Sequence, residues 1–392
     1  FSAAAQNIPA TADAARVGQE ARPDIQQPTT DSTLLDSEVS QSSSTNAPEG
    51  AKDVRLKLTG INLQGASTFM AEKIKSIYED DVGQEIALSR IWEIADNITQ
   101  YYRDRGYFLS RAFVPAQELD EGESAVVIQV VEGYIGEVEL IGELKEKRVI
   151  GGMIEALKAH KPIKAEKIES FLLRLNDLPG VSVRAVLEPM NGAEDEGAVK
   201  LSLLDQDTRG TATISYNNFG SNFLGPHQVS ASYDTSIIPL QQTRISVTSS
   251  VPFKELKQIS INHTIPVYRG LNLKLSANHV DAQPGDTLKV NKIESKSTGF
   301  NIGLEWNLIR QRLKNLSLGI GLDSKNSDSD ILGTELSRDK IRTLRANIDY
   351  DFSDKFKGYN ITSLTLSQGL NFLGASQAGD LNLSRAEATP DF

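Results

Sequence analysis

The sequence predicts two small α+β units in series, followed by an antiparallel sheet that reads as about the first half of a β-barrel. Three observations carry this. One order of elements, strand–helix–helix–strand–strand, occurs twice between residues 53 and 206. From residue 207 onward the helix signals vanish, and segments of about ten residues alternate apolar with small or polar side chains. No stretch approaches the roughly 20 apolar residues that a membrane helix needs. The longest comparable run, Ala125–Val131, is interrupted by Gln129, so any membrane contact must come from strands.

Residues 1–52 are rich in Ala, Gln, Ser, Thr and Pro and hold too little apolar surface to offset the entropy of ordering. They divide into a signal remnant and a linker. The chain opens on Phe1 instead of methionine, and Ser2-Ala3-Ala4-Ala5-Gln6 reads as the tail of a secretory signal or as an ordinary Ala-rich tail. A short helix is expected from Thr11 to Gln19, stopped by Pro23, and Gln41-Ser42-Ser43-Ser44-Thr45 is linker. The far end, Ala388-Thr389-Pro390-Asp391-Phe392, reads as cut.

The first unit spans residues 53–132. Val54, Leu56 and Leu58 alternate with Arg55 and Lys57, as on a half-buried strand. Ser67 is placed to cap a helix bearing Met70, Ile74 and Ile77 on one face. A second helix carries Ile91, Ile94, Ala95, Ile98, Tyr101 and Tyr102, and Gly106 stops it just after Arg103 and Arg105. Strands over Phe108–Val114 and Ala125–Glu132 close the unit around the turn Asp120-Glu121-Gly122-Glu123. The second unit, residues 133–206, repeats that order. A strand with Val138 and Leu140 precedes a helix from Val149 to Ala159. A helix striped by Ile168, Phe171, Leu172, Leu175 and Leu178 ends at Pro179-Gly180, and alternating runs over Val181–Leu187 and Val199–Leu203 follow. Each unit can lay one helical layer on a three-stranded sheet.

The remainder, residues 207–392, alternates throughout. Ala212, Ile214 and Tyr216 alternate with Thr213 and Ser215; Phe300, Ile302, Leu304 and Trp306 with Asn301, Gly303 and Glu305; Leu316, Leu318, Ile320 and Leu322 with Ser317, Gly319 and Gly321. Connections are expected to alternate short (Arg269-Gly270, Gln311–Asn315) with long (Asp281–Ser297, Asn326–Lys340). That asymmetry favours a membrane barrel over a soluble β-domain.

Composition narrows the chemistry. With 41 basic and 52 acidic residues the formal charge is −11, which argues against a nucleic-acid or anionic-membrane binder. No cysteine is available for a disulfide, a zinc cluster or a thiol nucleophile. His160, His227, His263 and His279 fall in no metal-ligand spacing. Asp323, Asp328 and Asp330 lack the Gly and terminal Glu of a calcium loop and read as a solvated surface loop. Gly319-Ile320-Gly321 sits inside a strand with no helix after it, so it is not a nucleotide loop. Glu79-Asp80-Asp81 is a solvated helix end. Neither catalysis nor a cofactor is expected.

Several segments carry a family likeness. Gly106-Tyr107-Phe108-Leu109-Ser110-Arg111-Ala112-Phe113-Val114-Pro115 through Val131-Glu132-Gly133-Tyr134-Ile135 resembles the haemolysin-activator type of POTRA domain. Leu173-Arg174-Leu175-Asn176-Asp177-Leu178-Pro179-Gly180-Val181 resembles the second POTRA of those proteins. The run from Tyr216 through Asn217, Gly220 and Gly225 to Pro226 is similar to their first barrel strand and surface loop. The family is the outer-membrane transporter of two-partner secretion, TpsB, and the likeness runs from about residue 53 to the end. Residues 11–28 are faintly similar to its N-terminal plug segment. Pro189-Met190 stands where the family often has Pro-Gly, a difference confined to a turn.

The resemblance implies two POTRA domains and a barrel of roughly sixteen strands, about nine of them before Phe392. It implies the outer membrane of a gram-negative bacterium, with residues up to about 206 in the periplasm, membrane lipid around a monomeric barrel, and a secreted TpsA-type exoprotein client of haemolysin, haemagglutinin or adhesin kind. A general barrel-assembly factor is the alternative. The expected client-binding edge is Phe108–Val114, where an extended polypeptide adds a strand by main-chain hydrogen bonds. Without an ATP site or an ion gradient, the client's folding outside would drive export.

Overall fold

The structure, a computed structural model, describes residues 12–14, 35–37, 47–119, 123–141, 148–190, 197–205, 210–356 and 358–385. The expected signal remnant, the Gln41–Thr45 linker, the turn at Asp120-Glu121-Gly122, the terminal Pro390-Asp391-Phe392 and most of the Thr11–Gln19 helix lie outside these residues. The described residues fall into two units. One holds both α+β repeats apart from Asn176–Val181, and the other holds the C-terminal strands together with Asn176–Val181 and Ala12–Ala14.

A short strand, β1 (Leu35–Ser37), precedes the first repeat. That repeat comprises β2 (Arg55–Gln64), α1 (Ala71–Lys75), β3 (Glu85–Ala87), α2 (Ser89–Arg103), β4 (Arg111–Phe113) and β5 (Glu123–Val131). Alternation on β2 and β5 puts Leu56, Leu58, Val126, Ile128 and Val130 on one buried face. The 3.6-residue period of α2 sets Ile91, Ile94, Ile98 and Tyr102 against that face. Each such side chain contributes ~1.5–3 kcal/mol by leaving water. The strand order is β3-β2-β5-β4, with β2 parallel to β5 and the two outer strands antiparallel.

Three expectations change here. The sheet has four strands instead of three, because β3 is only three residues long and too short to show a period. Helix α1 is five residues long and begins after Met70, which is 71% exposed. Ser67 does not cap it, since its N–H and hydroxyl are both bound to Glu132. The strand expected over Phe108–Val114 contracts to Arg111–Phe113, because Tyr107–Ser110 close a turn through the Ser110 N–H and the Tyr107 carbonyl at 3.0 Å.

The second repeat has β6 (Tyr134–Ile141), α3 (Arg148–Lys158), α4 (Ala165–Asn176), β7 (Val183–Pro189) and β8 (Ala198–Asp205). Ile168, Phe171, Leu172 and Leu175 line the buried stripe of α4. The strand order is β1-β7-β8-β6, so β1 adds a fourth strand to the expected three. Ala165 N–H donates to Gly106 O at 2.8 Å, joining the two repeats, and within the second Ile163 N–H donates to Gly133 O at 2.9 Å.

The C-terminal strands are β9 (Thr211–Asn217), β10 (Gln228–Thr235), β11 (Gln242–Ser250), β12 (Leu256–Tyr268), β13 (Leu271–Ala282), β14 (Ile293–Arg310), β15 (Lys314–Ile331), β16 (Thr334–Ser353) and β17 (Tyr359–Gly369). They form one nine-stranded sheet in sequence order, antiparallel throughout. Register puts Trp306, Leu318, Ile348 and Leu364 in one row, and Glu305, Gly319, Asn347 and Thr365 in a row on the opposite face. One face is therefore an apolar band and the other a polar lining, as a membrane barrel requires. Among the described residues β9 and β17 have no further strand partner.

The expected long connections prove to be mostly strand. Asn326–Lys340 continues β15 and β16 to a two-residue turn at Leu332-Gly333, and Asp281–Ser297 is strand at both ends around a 3-10 helix at Asp286–Asn291. In this region polar residues occupy both faces, so the apolar/polar period disappears while the backbone pairing persists. Strands of 18–20 residues exceed the roughly 9–11 needed to cross a bilayer and extend beyond it.

Candidate functional site

In the first repeat the expected segment does lie at a sheet edge, with β4 outermost beside β5. Little of that edge is open. Successive residues of a strand direct their main-chain groups to opposite sides. Ala112 is the residue facing away from β5, and its N–H donates to Thr99 Oγ1 of α2 at 2.9 Å. The same hydroxyl lies 3.3 Å from Ala112 O and 3.0 Å from Ala95 O. Leu109, Ser110 and Ala112 are buried, while Arg111 is exposed with its guanidinium 5.8 Å from the Phe113 ring centre. Phe108, Phe113 and Val114 are half-buried. Ser110 Oγ accepts the Gly133 N–H at 3.1 Å, which ties the segment to the start of the second repeat.

Glu132 fastens the same corner, a role that no sequence motif signals. Its carboxylate accepts the N–H groups of Ser67 (2.9 Å) and Thr68 (2.8 Å), the Ser67 hydroxyl and the Tyr102 phenol (2.8 Å). Burial alone would raise the Glu132 pKa, but these donors outweigh it and hold the carboxyl below the usual glutamate value. Burial, then the bond to Glu132, pushes the Tyr102 phenol well above the ordinary tyrosine range.

In the second repeat, β1 occupies the outer edge of β7 in parallel pairing, with Leu35 opposite Ala185, Asp36 opposite Val186 and Ser37 opposite Leu187. A segment read as linker is thus bound by strand addition. The only hint in the sequence was the Leu34-Leu35 pair in an otherwise polar stretch.

The expected barrel motif comes together at one loop. Asn217 Oδ1 accepts the Phe219 N–H at 3.1 Å, and Gly220 N–H donates to Pro226 O at 3.1 Å. Gly225 has φ +86°, a conformation that favours glycine. A Cβ at Gly220 would stand 2.0 Å from Gly225 O. Nearby on the polar face, Ala14 packs in a buried cluster with Leu224, Leu256, Val280 and Ala282. Ala14 is therefore seated on the polar face of the strands. The histidines are dispersed, His227 on Tyr216, His263 on Thr243 and His279 on Thr298. Among the described residues no group of three or more His, Asp or Glu side chains is placed to hold a metal.

Comparison with known proteins decides the family. The family profile described as haemolysin secretion/activation protein ShlB/FhaC/HecB matches residues 195–391, half of the chain. This chain belongs to that family. A second profile, the ShlB-type POTRA domain, matches residues 56–133 and so covers the first repeat with its Glu132 corner. The heme/hemopexin transporter protein HuxB of Haemophilus influenzae strain 86-028NP is 23% identical over 365 residues, covering 79% of this chain and 62% of that protein. The chain thus spans less than two thirds of the curated relative. In fold it is similar to CdiB from Escherichia coli, with TM-score 0.62 and 18% identity over 88% of this chain and 64% of that one. CdiB from Acinetobacter baumannii gives TM-score 0.51 and 15% identity over 80% and 62%. The protein is an outer-membrane member of the ShlB/FhaC/HecB family, with periplasmic POTRA structure preceding membrane strands.

Proposed function

We propose that this chain is the periplasmic receptor and first part of the pore of a two-partner secretion transporter, which takes an unfolded exoprotein and exports it across the outer membrane. The observation that carries the reading is the pairing of β1 on β7. It is an extended polypeptide held by main-chain pairing at a sheet edge, which is how a client of varied sequence can be recognised. In this reading β1 holds the β7 edge until a client strand replaces it. The Phe108–Val114 edge is a second docking place, where a client must first displace Thr99 from Ala112. Residues up to about 206 form the periplasmic part, divided near residue 132. The match to a secretion family favours export over general barrel assembly.

These 392 residues contain no cysteine, so an introduced pair is the only disulfide they can form among themselves. In the full-length protein, an Asp36→Cys/Val186→Cys pair would lock β1 onto β7 when oxidised. Export of the exoprotein encoded beside it should fall several-fold on oxidation and recover with reductant, and any client binding left in the locked state reports the Arg111–Phe113 edge. Undiminished binding and export by the locked protein would show that β7 is not the docking edge.

A further inference from the structure

Strand β5 is partnered unevenly along its length. On one side β2 runs beside it from Glu123 to Gln129. On the other, β4 pairs only with residues 129–131, so among the described residues no strand lies beside residues 123–127 on that side. Glu123 and Ala125 are exposed, while Val126 and Ile128 belong to the core. In an antiparallel ladder every second residue exchanges both main-chain bonds with its partner. Ala112 turns its N–H away from β5 to Thr99, so Arg111–Val131 and Phe113–Gln129 are the bonded pairs. Val127 is the next residue of β5 to face that side.

Continuing that register brings Pro115 opposite Val127, and proline has no N–H to donate. The Gln117 carboxamide takes its place. Its Nε2 donates to Val127 O at 2.9 Å, and its Oε1 accepts the Val127 N–H at 2.8 Å. The same Nε2 lies 3.3 Å from Pro115 O. A primary amide carries the donor and the acceptor of a peptide group, so Gln117 makes the two bonds that one residue of an added strand would make. Among the described residues no bond between main-chain groups fixes residues 115–119, and Leu119 packs against the core. Displacing this segment from β5 costs the two Gln117 bonds and that contact.

We infer that residues 123–127 of β5 are a reserved docking edge for an extended stretch of the exported polypeptide, with Gln117 as its removable stand-in, a reading that rests on the chain being an exporter. The stand-in names the chemistry of the occupant, because it is itself an amide. The exchange of both bonds with one residue also fixes the direction: the bound stretch runs antiparallel to β5, in line with β4. It offers main-chain N–H and C=O groups to Val127 and Ala125, and pairing of that kind accepts varied sequence. Ala112 is closed by a buried hydroxyl on helix α2, whereas Val127 is closed by a half-buried side chain on a coil. The β5 edge is therefore the easier of the two to open.

The test is fluorescence anisotropy on the full-length protein in detergent. The probe is the labelled N-terminal secretion segment of the exoprotein encoded beside it, diluted from urea. The oxidised Asp36→Cys/Val186→Cys pair is present in every variant, so that the β7 edge is closed. Gln117→Ala should bind the probe roughly tenfold tighter than the parent, since two net amide hydrogen bonds no longer have to be broken. Ala125→Pro, which removes the next N–H on the open side, should weaken binding several-fold and cancel the gain in the double variant. Equal binding by Gln117→Ala and the parent, or unchanged affinity in folded Ala125→Pro, overturns the site. If one variant fails to unfold cooperatively in urea, the other decides alone. No binding by the parent, locked or unlocked, nor by Gln117→Ala would remove the export reading and this edge together. Binding by a parent that both variants match removes the edge alone. Dimers of Gln117→Ala without probe, seen by native mass spectrometry, would assign the edge to a second copy of the chain and overturn the client reading.

Discussion

At the scale of residues, single oxygens decide how the first repeat is closed. Glu132 joins the Ser67–Thr68 entry of α1, the phenol of α2 and the end of β5 through one carboxylate. Replacing it with Ala leaves two N–H groups and the phenol without their acceptor. At about 1–3 kcal/mol per unsatisfied group, reduced where water can reach, Glu132→Ala should cost on the order of 2–4 kcal/mol in urea unfolding of the periplasmic part. The pH dependence follows from the lowered carboxyl pKa. A depressed pKa contributes stability that is present above the ordinary glutamate value and lost as pH falls through the lower, folded value. Glu132→Gln should therefore flatten the acid side of the stability curve below about pH 4.5 and change its shape little above that. A parent and variant with parallel acid limbs would remove Glu132 from that role.

At the scale of elements, the β-strands divide their two faces between two solvents. Leu318 stands in the apolar row between Trp306 and Ile348, and Gly319 in the polar row against Asn347. Gly319 leaves room there for the Asn347 amide, whose Oδ1 lies 2.0 Å from where a Cβ would stand. In the full-length protein Leu318→Arg should cost ~2–4 kcal/mol if it lies near the bilayer midplane. Asn347→Arg points to the lining beside Asp349, which already accepts the Asn347 amide at 2.7 Å, and should be tolerated. The fraction of heat-modifiable barrel recovered after refolding reads both variants. Equal losses would mean that the two faces are assigned wrongly.

At the scale of the whole molecule, the nine-stranded sheet has β9 at one edge and β17 at the other. In hydrocarbon each unpaired main-chain group costs several kcal/mol, so two open edges amount to tens of kcal/mol. The 392-residue chain by itself should give no steady single-channel conductance in a planar bilayer. A reproducible pore from the monomer would show that these edges find partners within the chain.

The order of elements in both repeats, the alternation of the strands and the facing of Leu304, Trp306, Leu318 and Ile348 were legible in the sequence, because each rests on a period of 2 or 3.6 residues. Where polar residues occupied both faces, as from Asn326 to Lys340, the period failed and strand was read as loop. The Asn217–Pro226 loop was visible through its glycines, whose backbone demands are local. The state of the two sheet edges was not legible. Thr99 lies 13 residues from Ala112 and Leu35 lies 150 from Ala185, and main-chain pairing leaves no side-chain pattern at either partner. Glu132 could not be chosen from among the many acidic residues, since its role depends on donors from three residues that converge only after folding. The sequence by itself determined the repeats, the apolar band and the family likeness. The tertiary structure alone decided which strand edges are filled and which side chains share a row, because pairing and register are relations between segments and belong to no one of them.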